Sequence, residues 1–278
     1  AWKLLTGRRD RFATLRQAGG LSGFSNPEES PCDAFVSGHA GVALSAAEGM
    51  AVARDRAGAA TNVVAVVGDA ALTNGISLEA LNDCTSLTGK LILVLNDNEM
   101  SISKNVGAFA RHLGRLLTGV RYNRVKAAAE RAGHRLRLTF LRGTYHRLEQ
   151  VIKSFWLGNA FFESFGLRYI GPIDGHDLKA VTDALTVAKN DKRSVLVHIV
   201  TVKGRGFRPA ENDPTAWHGV GPFDPDHPRQ LGPSDPPDAP VPSSWSECFG
   251  AVLADAARRD PKVAALTAAM RDGTGLDG

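Results

Sequence analysis

Two short apolar runs, each shut off by a polar cluster and separated by about one helix length, constrain this chain more than any other feature. Asn62-Val63-Val64-Ala65-Val66-Val67 is rich in β-branched residues and stops at Gly68-Asp69; Leu91-Ile92-Leu93-Val94-Leu95 stops at Asn96-Asp97-Asn98-Glu99. Apolar runs without polar alternation predict strands buried on both faces. Residues 77–85 between them, with Leu78, Leu81 and Asn82 at helical spacing, predict a helix. Strand, helix, strand is the parallel crossover unit, and its expected hand is right.

The alternation continues on either side. Residues 40–58 predict a helix whose small side chains (Ala43, Ala46, Ala47, Gly49, Ala51, Ala53) permit close packing. Further on, 161–165 reads as the end of a helix, 167–170 as a strand, 178–189 as a helix and 194–200 as a strand. The expected fold is α/β, an open parallel sheet flanked by helices. From 209 to 244 the composition shifts, with ten of the 14 prolines, to an extended linker, and 244–259 predicts a helix opening another domain. The expected organisation is a domain over 1–208, a Pro-rich linker over 209–243 and the start of a second domain over 244–278. A first residue that is not methionine, and a last one just past Gly273-Thr274-Gly275, suggest a piece of a longer protein.

Charge and cysteine narrow the classes. The net charge of +4 conceals residues 104–153, with twelve Lys and Arg against Glu130 and Glu149. Such a segment suits a nucleic-acid surface, a patch for anionic substrates or a solvated helical face. It holds no nucleic-acid motif, and Tyr122, Phe140 and Tyr145 form no stacking series, so the solvated face is favoured, mobility is expected and nucleic acid is not an expected partner. Cys32, Cys84 and Cys248 are odd in number and widely spaced, which fits a reducing, cytoplasmic compartment. No run approaches the roughly 20 apolar residues of a membrane span. A dinucleotide glycine fingerprint, a P-loop, a serine-hydrolase elbow and a zincin helix are absent, which disfavours those enzyme classes.

In open parallel sheets ligands bind at the carboxyl ends of strands, where both polar clusters fall. Asp69 and Asn98 stand 29 positions apart, the span of a crossover helix with its return strand. Their carboxylate and amide oxygens, with a backbone carbonyl, form part of a hard-oxygen shell suited to Mg²⁺ carrying an anionic ligand. Ala70 and Ala71 are small enough for a phosphate to approach their backbone N–H groups. The bland alternative makes Asp69 the cap of a helix starting near Asn74, and Asn96 to Asn98 ordinary turn residues.

Gly68-Asp69 followed at an interval by Asn98 resembles the thiamine diphosphate signature. The chain as a whole resembles the 1-deoxy-D-xylulose-5-phosphate synthases, which are transketolase-like enzymes. The likeness includes Lys3-Leu4-Leu5-Thr6-Gly7-Arg8-Arg9-Asp10, Gly19-Gly20-Leu21-Ser22-Gly23-Phe24, Asn96-Asp97-Asn98-Glu99-Met100-Ser101-Ile102-Ser103, Tyr169-Ile170-Gly171-Pro172-Ile173-Asp174-Gly175-His176-Asp177 and Lys203-Gly204-Arg205-Gly206. The resemblance implies that Asp69, Asn98 and the carbonyl of Met100 hold Mg²⁺, which grips the diphosphate of thiamine diphosphate. It implies that Gly38, His39 and Ala40 lie against the cofactor, with Ala70, Ala71, Lys203 and Phe207 also on the cofactor side. His39 and His218 become catalytic candidates, although each also reads as a structural loop histidine; Asp174 to Asp177 reads as a turn and helix cap. The implied reaction is decarboxylation of pyruvate and transfer of its two-carbon unit to D-glyceraldehyde 3-phosphate, a step toward isoprenoid precursors, in a homodimer.

Three positions depart from the family pattern. Ala70 stands where glycine is expected, Ala40-Gly41-Val42 replaces Ser-Ser-Thr, and Phe207 replaces tyrosine. Where such a change leaves a buried partner unpaired, the cost is about 1–3 kcal/mol. The family also implies a histidine upstream of Ala1 and an activating glutamate downstream of Gly278, so this chain alone is expected to be inactive. The competing class is a non-catalytic binding protein that keeps the fold.

Overall fold

The computed structural model describes residues 2–36, 38–98, 159–214, 217–218, 244–267 and 271–276. These fall into two compact units, one reaching Thr201 and one from Val202 onward. The basic segment 104–153, Met100 and most of the proline-rich stretch lie outside the described residues.

Among the described residues the first unit is built on four parallel strands: β1 (Val64–Gly68), β2 (Ile92–Asp97), β3 (Arg168–Asp174) and β4 (Val195–Val200), in the spatial order β1-β2-β4-β3. The crossover unit expected from the two apolar runs is present. β1 and β2 pair in parallel from Val64↔Ile92 to Gly68↔Asn96, joined through helix α4 (Gly75–Leu87). Ahead of these elements lie α1 (Trp2–Leu5), a 3₁₀ turn over Arg9–Thr14, α2 (Val42–Arg56) and the four-residue α3 (Asp69–Leu72). After them come α5 (Asn159–Glu163) and α6 (Leu178–Asn190).

Pairing register decides which side chains share a face. Ala65, Val67, Leu93, Leu95 and Leu196 form one layer, covered by Leu44, Ala47 and Ala51 of α2, Leu81 and Cys84 of α4, and Phe162. The small residues of α2 do let it close on α4, with Ala51 fully buried. Ile92, Val94, Val195 and Val197 form the opposite layer beneath Ala184 and Ala188 of α6. Asp177 starts α6 by accepting from the N–H groups of Lys179 and Ala180, both at 3.0 Å, and Asp174 accepts from His176 N–H in the preceding turn.

The structure corrects four expectations. β1 is not buried on both faces: Val64 and Val66 are 48% and 64% exposed, because among the described residues β1 is an outer strand and α6 packs on β4 and β3. Helix 40–58 starts only at Val42, since Gly41 sits at φ +85°, a left-handed backbone that breaks the helix before it. β2 runs on through Asn96 and Asp97, which join the ladder with Ile199 and Val200 and so are strand residues, not a turn. In the second unit, the first linker residues form a short helix α7 (Arg208–Asn212), with Pro209 in its first turn, where a missing N–H costs nothing.

The second unit also holds α8 (Trp245–Arg259), closed at its start by a reciprocal box: Ser244 Oγ accepts from Glu247 N–H and Glu247 Oε2 from Ser244 N–H. Among the described residues no helix is long and apolar enough to cross a membrane.

Near the N-terminus, Asp33 organises the chain that leads into α2. Its buried carboxylate accepts from Arg8 Nη1 and Nη2 at 2.6 and 2.7 Å, from Trp2 Nε1 at 2.9 Å and from Asn26 N–H at 2.8 Å. Hydrogen bonding from Arg8 holds Asp33 well below the usual carboxylate range.

Glu48 is the opposite case. It is 9% exposed on α2, and its Oε1 has no hydrogen-bond partner. Burial, and secondly the charge of Asp83, raises its pKa. A raised carboxyl pKa penalises the folded state once pH passes the unfolded value, and the penalty is complete above the folded one. Glu48→Leu should therefore raise the melting temperature at pH 8, by about 1 kcal/mol of stability, with a smaller gain at pH 5. Thermal melts at the two pH values test this, and a lower melting temperature at both would refute it.

Candidate cofactor site

All four strands run the same way, so their carboxyl ends share one edge of the sheet. β1 ends at Gly68 and hands directly to Asp69; its neighbour β2 ends at Asp97 and hands to Asn98. Gly68 is in register with Asn96, so the two candidate donors leave adjacent strands at the same edge. Asp69 is buried and Asn98 half-buried. Asp69 opens α3, whereas the cap position of α4 belongs to Asn74, so Asp69 is not the cap of that helix.

Among the described residues no group of three or more His, Cys, Asp and Glu side chains gathers as a metal cluster. The donor set read from the sequence is of another kind: one carboxylate, one amide and one backbone carbonyl. Its oxygens are hard, and one charged ligand with neutral ones leaves room for an anionic ligand, which fits Mg²⁺. Met100, the third expected donor, lies outside the described residues.

Gly38, His39 and Ala40 are exposed in the loop before α2. Ser77, on α4, ties this loop to α3: its buried hydroxyl lies 2.9 Å from the Gly41 carbonyl and 2.8 Å from the Ala71 carbonyl, and shares its proton between them. Gly41 gains a local reason from this packing. Beyond its positive φ, a Cβ there would come within 2.5 Å of Asn74 Nδ2. The fold thus brings the Gly38–Ala40 loop and the Asp69–Ala71 segment together through Ser77, a residue the sequence reading did not single out.

A second group missed from sequence is a buried polar chain at the same end of the sheet. His198, fully buried in β4, lies 3.1 Å from Asp97 Oδ2 through Nε2 and 2.7 Å from the Tyr169 hydroxyl through Nδ1. Burial, and then the charge of Asp97, pushes the Tyr169 phenol up, so it remains a donor. On the other face Thr201 Oγ1 donates to Asn96 Oδ1 at 2.7 Å. The available signal was a histidine inside the apolar run 194–200, because a buried polar side chain must find partners.

In the second unit, Lys203, Phe207 and His218 are grouped. The Phe207 ring packs edge-on against Trp217, centroids 5.1 Å apart. His218 has its pKa lowered by desolvation and, secondly, by the charge of Lys203. The ring that replaces the family's tyrosine therefore keeps a packing partner.

An open cavity of about 600 Å³, lined by Phe24, Phe35, Met50, Val64 and Val66 among others, lies elsewhere. It reaches β1 at Val64 to Val66, short of the Gly68-Asp69 end, and its lining is mostly apolar.

Comparison with known proteins finds relatives of the whole chain. A family model described as 1-deoxy-D-xylulose-5-phosphate synthase matches residues 1–201. The chain is 48% identical over 275 residues to the 1-deoxy-D-xylulose-5-phosphate synthase of Acidobacterium capsulatum, covering 99% of this chain and 43% of that protein. It is 47% identical over 276 residues to the synthase of Desulforudis audaxviator and 45% identical over 277 residues to that of Clostridium kluyveri, covering 99% of this chain in both and 42% and 43% of those proteins. The chain thus spans less than half the length of the curated relatives it matches.

Replacing Ser77 by Ala leaves two carbonyls without that donor in a buried setting, and should cost about 1–3 kcal/mol. Urea unfolding of Ser77→Ala against the native chain measures it; an unchanged midpoint would show that the Ser77 tie carries no energy.

Proposed function

This chain belongs to the 1-deoxy-D-xylulose-5-phosphate synthase family, and we propose that it forms the diphosphate- and Mg²⁺-holding part of such an enzyme. The observation that carries the proposal is the exit of Asp69 and Asn98 from adjacent parallel strands at one sheet edge. Asp69, Asn98 and the Met100 carbonyl hold Mg²⁺, and Ala70 and Ala71 present backbone N–H groups to the diphosphate. Thiamine diphosphate, when bound, supplies the carbon nucleophile and electron sink for decarboxylating pyruvate and passing its two-carbon unit to D-glyceraldehyde 3-phosphate.

The remaining residues bind and orient. Gly38, His39 and Ala40 form one wall of the cofactor site, held by Ser77 through Gly41. Lys203 adds positive charge toward the diphosphate, and Phe207 keeps a ring in place by packing on Trp217. His218, whose pKa is lowered by desolvation and then by the charge of Lys203, can take up and release a proton at the substrate. Turnover, homodimer formation and a cytoplasmic setting belong to the same proposal, and full activity draws on parts of the protein beyond these 278 residues.

Titration calorimetry should show thiamine diphosphate binding to the 278-residue chain weakly, and more tightly with Mg²⁺ than in EDTA, without turnover of the two substrates. Asp69→Ala should weaken the Mg²⁺-dependent binding about 100-fold. Equal binding with and without Mg²⁺ would overturn the site assignment, and synthase turnover by this chain alone would overturn its dependence on further parts.

A further inference from the structure

Asp97, His198 and Tyr169 are titratable, lie in or beside the core, and are not among the candidate cofactor residues. Asp97 is 1% exposed and His198 fully buried. Their partners assign the histidine tautomer. A carboxylate only accepts, so Nε2–H donates to Asp97 Oδ2, and Nδ1 is left to accept from the Tyr169 hydroxyl. As a device for stability the arrangement is poor. A leucine at 198, like Leu196 beside it on the same face, would fill the layer with no polar atoms to satisfy.

Placement gives it a use. Leu95 pairs with His198, Asp97 with Val200 and Tyr169 with Leu196, so Asp97, His198 and Tyr169 project on one face of the sheet. On the other face Thr201 Oγ1 donates to Asn96 Oδ1 at 2.7 Å, and Thr201 N–H donates to the Asp97 carbonyl at 2.8 Å. Thr201 is itself packed from beyond: a Cβ on Gly175 would lie 2.5 Å from its Cγ2, and Gly175 N–H donates to the Val200 carbonyl. The last two residues of β2 are therefore gripped from both faces and along the main chain, directly before Asn98.

We propose that Tyr169, His198 and Thr201 are positioning residues: acting through Asp97 and Asn96, they fix the direction in which β2 ends and so hold Asn98 beside the end of β1 for a divalent cation. The proposal rests on the Mg²⁺–diphosphate reading of the site above. Mg²⁺ demands near-ideal octahedral geometry, so a ligand on a loop end must be set in advance by its supports. Residues that orient metal ligands are worth about 10–100-fold in metal affinity.

The experiment uses the full-length protein that contains this chain and measures thiamine diphosphate affinity at saturating Mg²⁺ and again in EDTA. The ratio of the two affinities is the readout, because general damage to the fold lowers both together. His198→Leu and Thr201→Val should each reduce the ratio about tenfold. Tyr169→Phe keeps the ring against Phe162 and should reduce it about threefold. His198→Gln, whose amide N–H can reach Asp97 from the place of Nε2, should restore the ratio to within about threefold of native.

Equal losses with and without Mg²⁺ overturn the positioning role and leave only a structural one. Should His198→Leu fail to fold, Tyr169→Phe and Thr201→Val, which each lose only a hydroxyl, decide the matter by the same ratio. A native protein whose ratio exceeds one, with every variant matching it, overturns this proposal and leaves the site assignment standing. A native ratio of one overturns both.

Discussion

The parallel hydrogen-bond ladder between β1, β2 and β4 is the constraint on which the rest depends. Parallel strands cannot be joined by tight turns, so each connection must climb back over the sheet as a helix and its loops. That requirement lays α4 over one face of the sheet and α6 over the other, and delivers every strand end to one edge. With Gly68 in register with Asn96, Asp69 and Asn98 become neighbours across a gap of 29 residues of chain. Had the register slipped by one, the layer holding Val67, Leu95 and Leu196 would have turned over, and both donors with it.

Polar groups near this edge are spent on holding backbone. Ser77 bridges two carbonyls that belong to different candidate loops, Thr201 secures Asn96, and His198 secures Asp97. Each is paired where it is buried, as low polarity requires. Glu48 is the exception in the α2–α4 contact, with an oxygen left unpaired and a pKa raised by burial. The strand end beneath the candidate site is thus held by hydrogen bonds, whereas the layers below it are held by apolar packing.

Much of the fold was legible because its signals are local. Two apolar runs with a helix between them announce a crossover, Asp177 starts a helix by capping, and Gly68-Asp69 and Asn98 follow strands at the end where parallel sheets bind ligands. What escaped was decided at a distance. Nothing in Val63 to Val67 tells that one face stays exposed among the described residues, because that depends on where α6 packs. Asn96 and Asp97 read as turn residues until β4 offers them ladder partners and His198 and Thr201 offer side-chain ones. Ser77 and Gly41 lie 36 residues apart and acquire meaning only when α2 and α4 close together.

By itself, then, the sequence determined the fold class and the family and singled out the residues of a candidate site, since periodicity, helix caps and short motifs act within a few residues of one another. Tertiary structure decided which polar groups support which. A buried histidine is only an oddity in an apolar strand until strand order sets an aspartate on one side of it and a tyrosine on the other. Strand order and register are collective properties of the sheet, and no local stretch of chain encodes them.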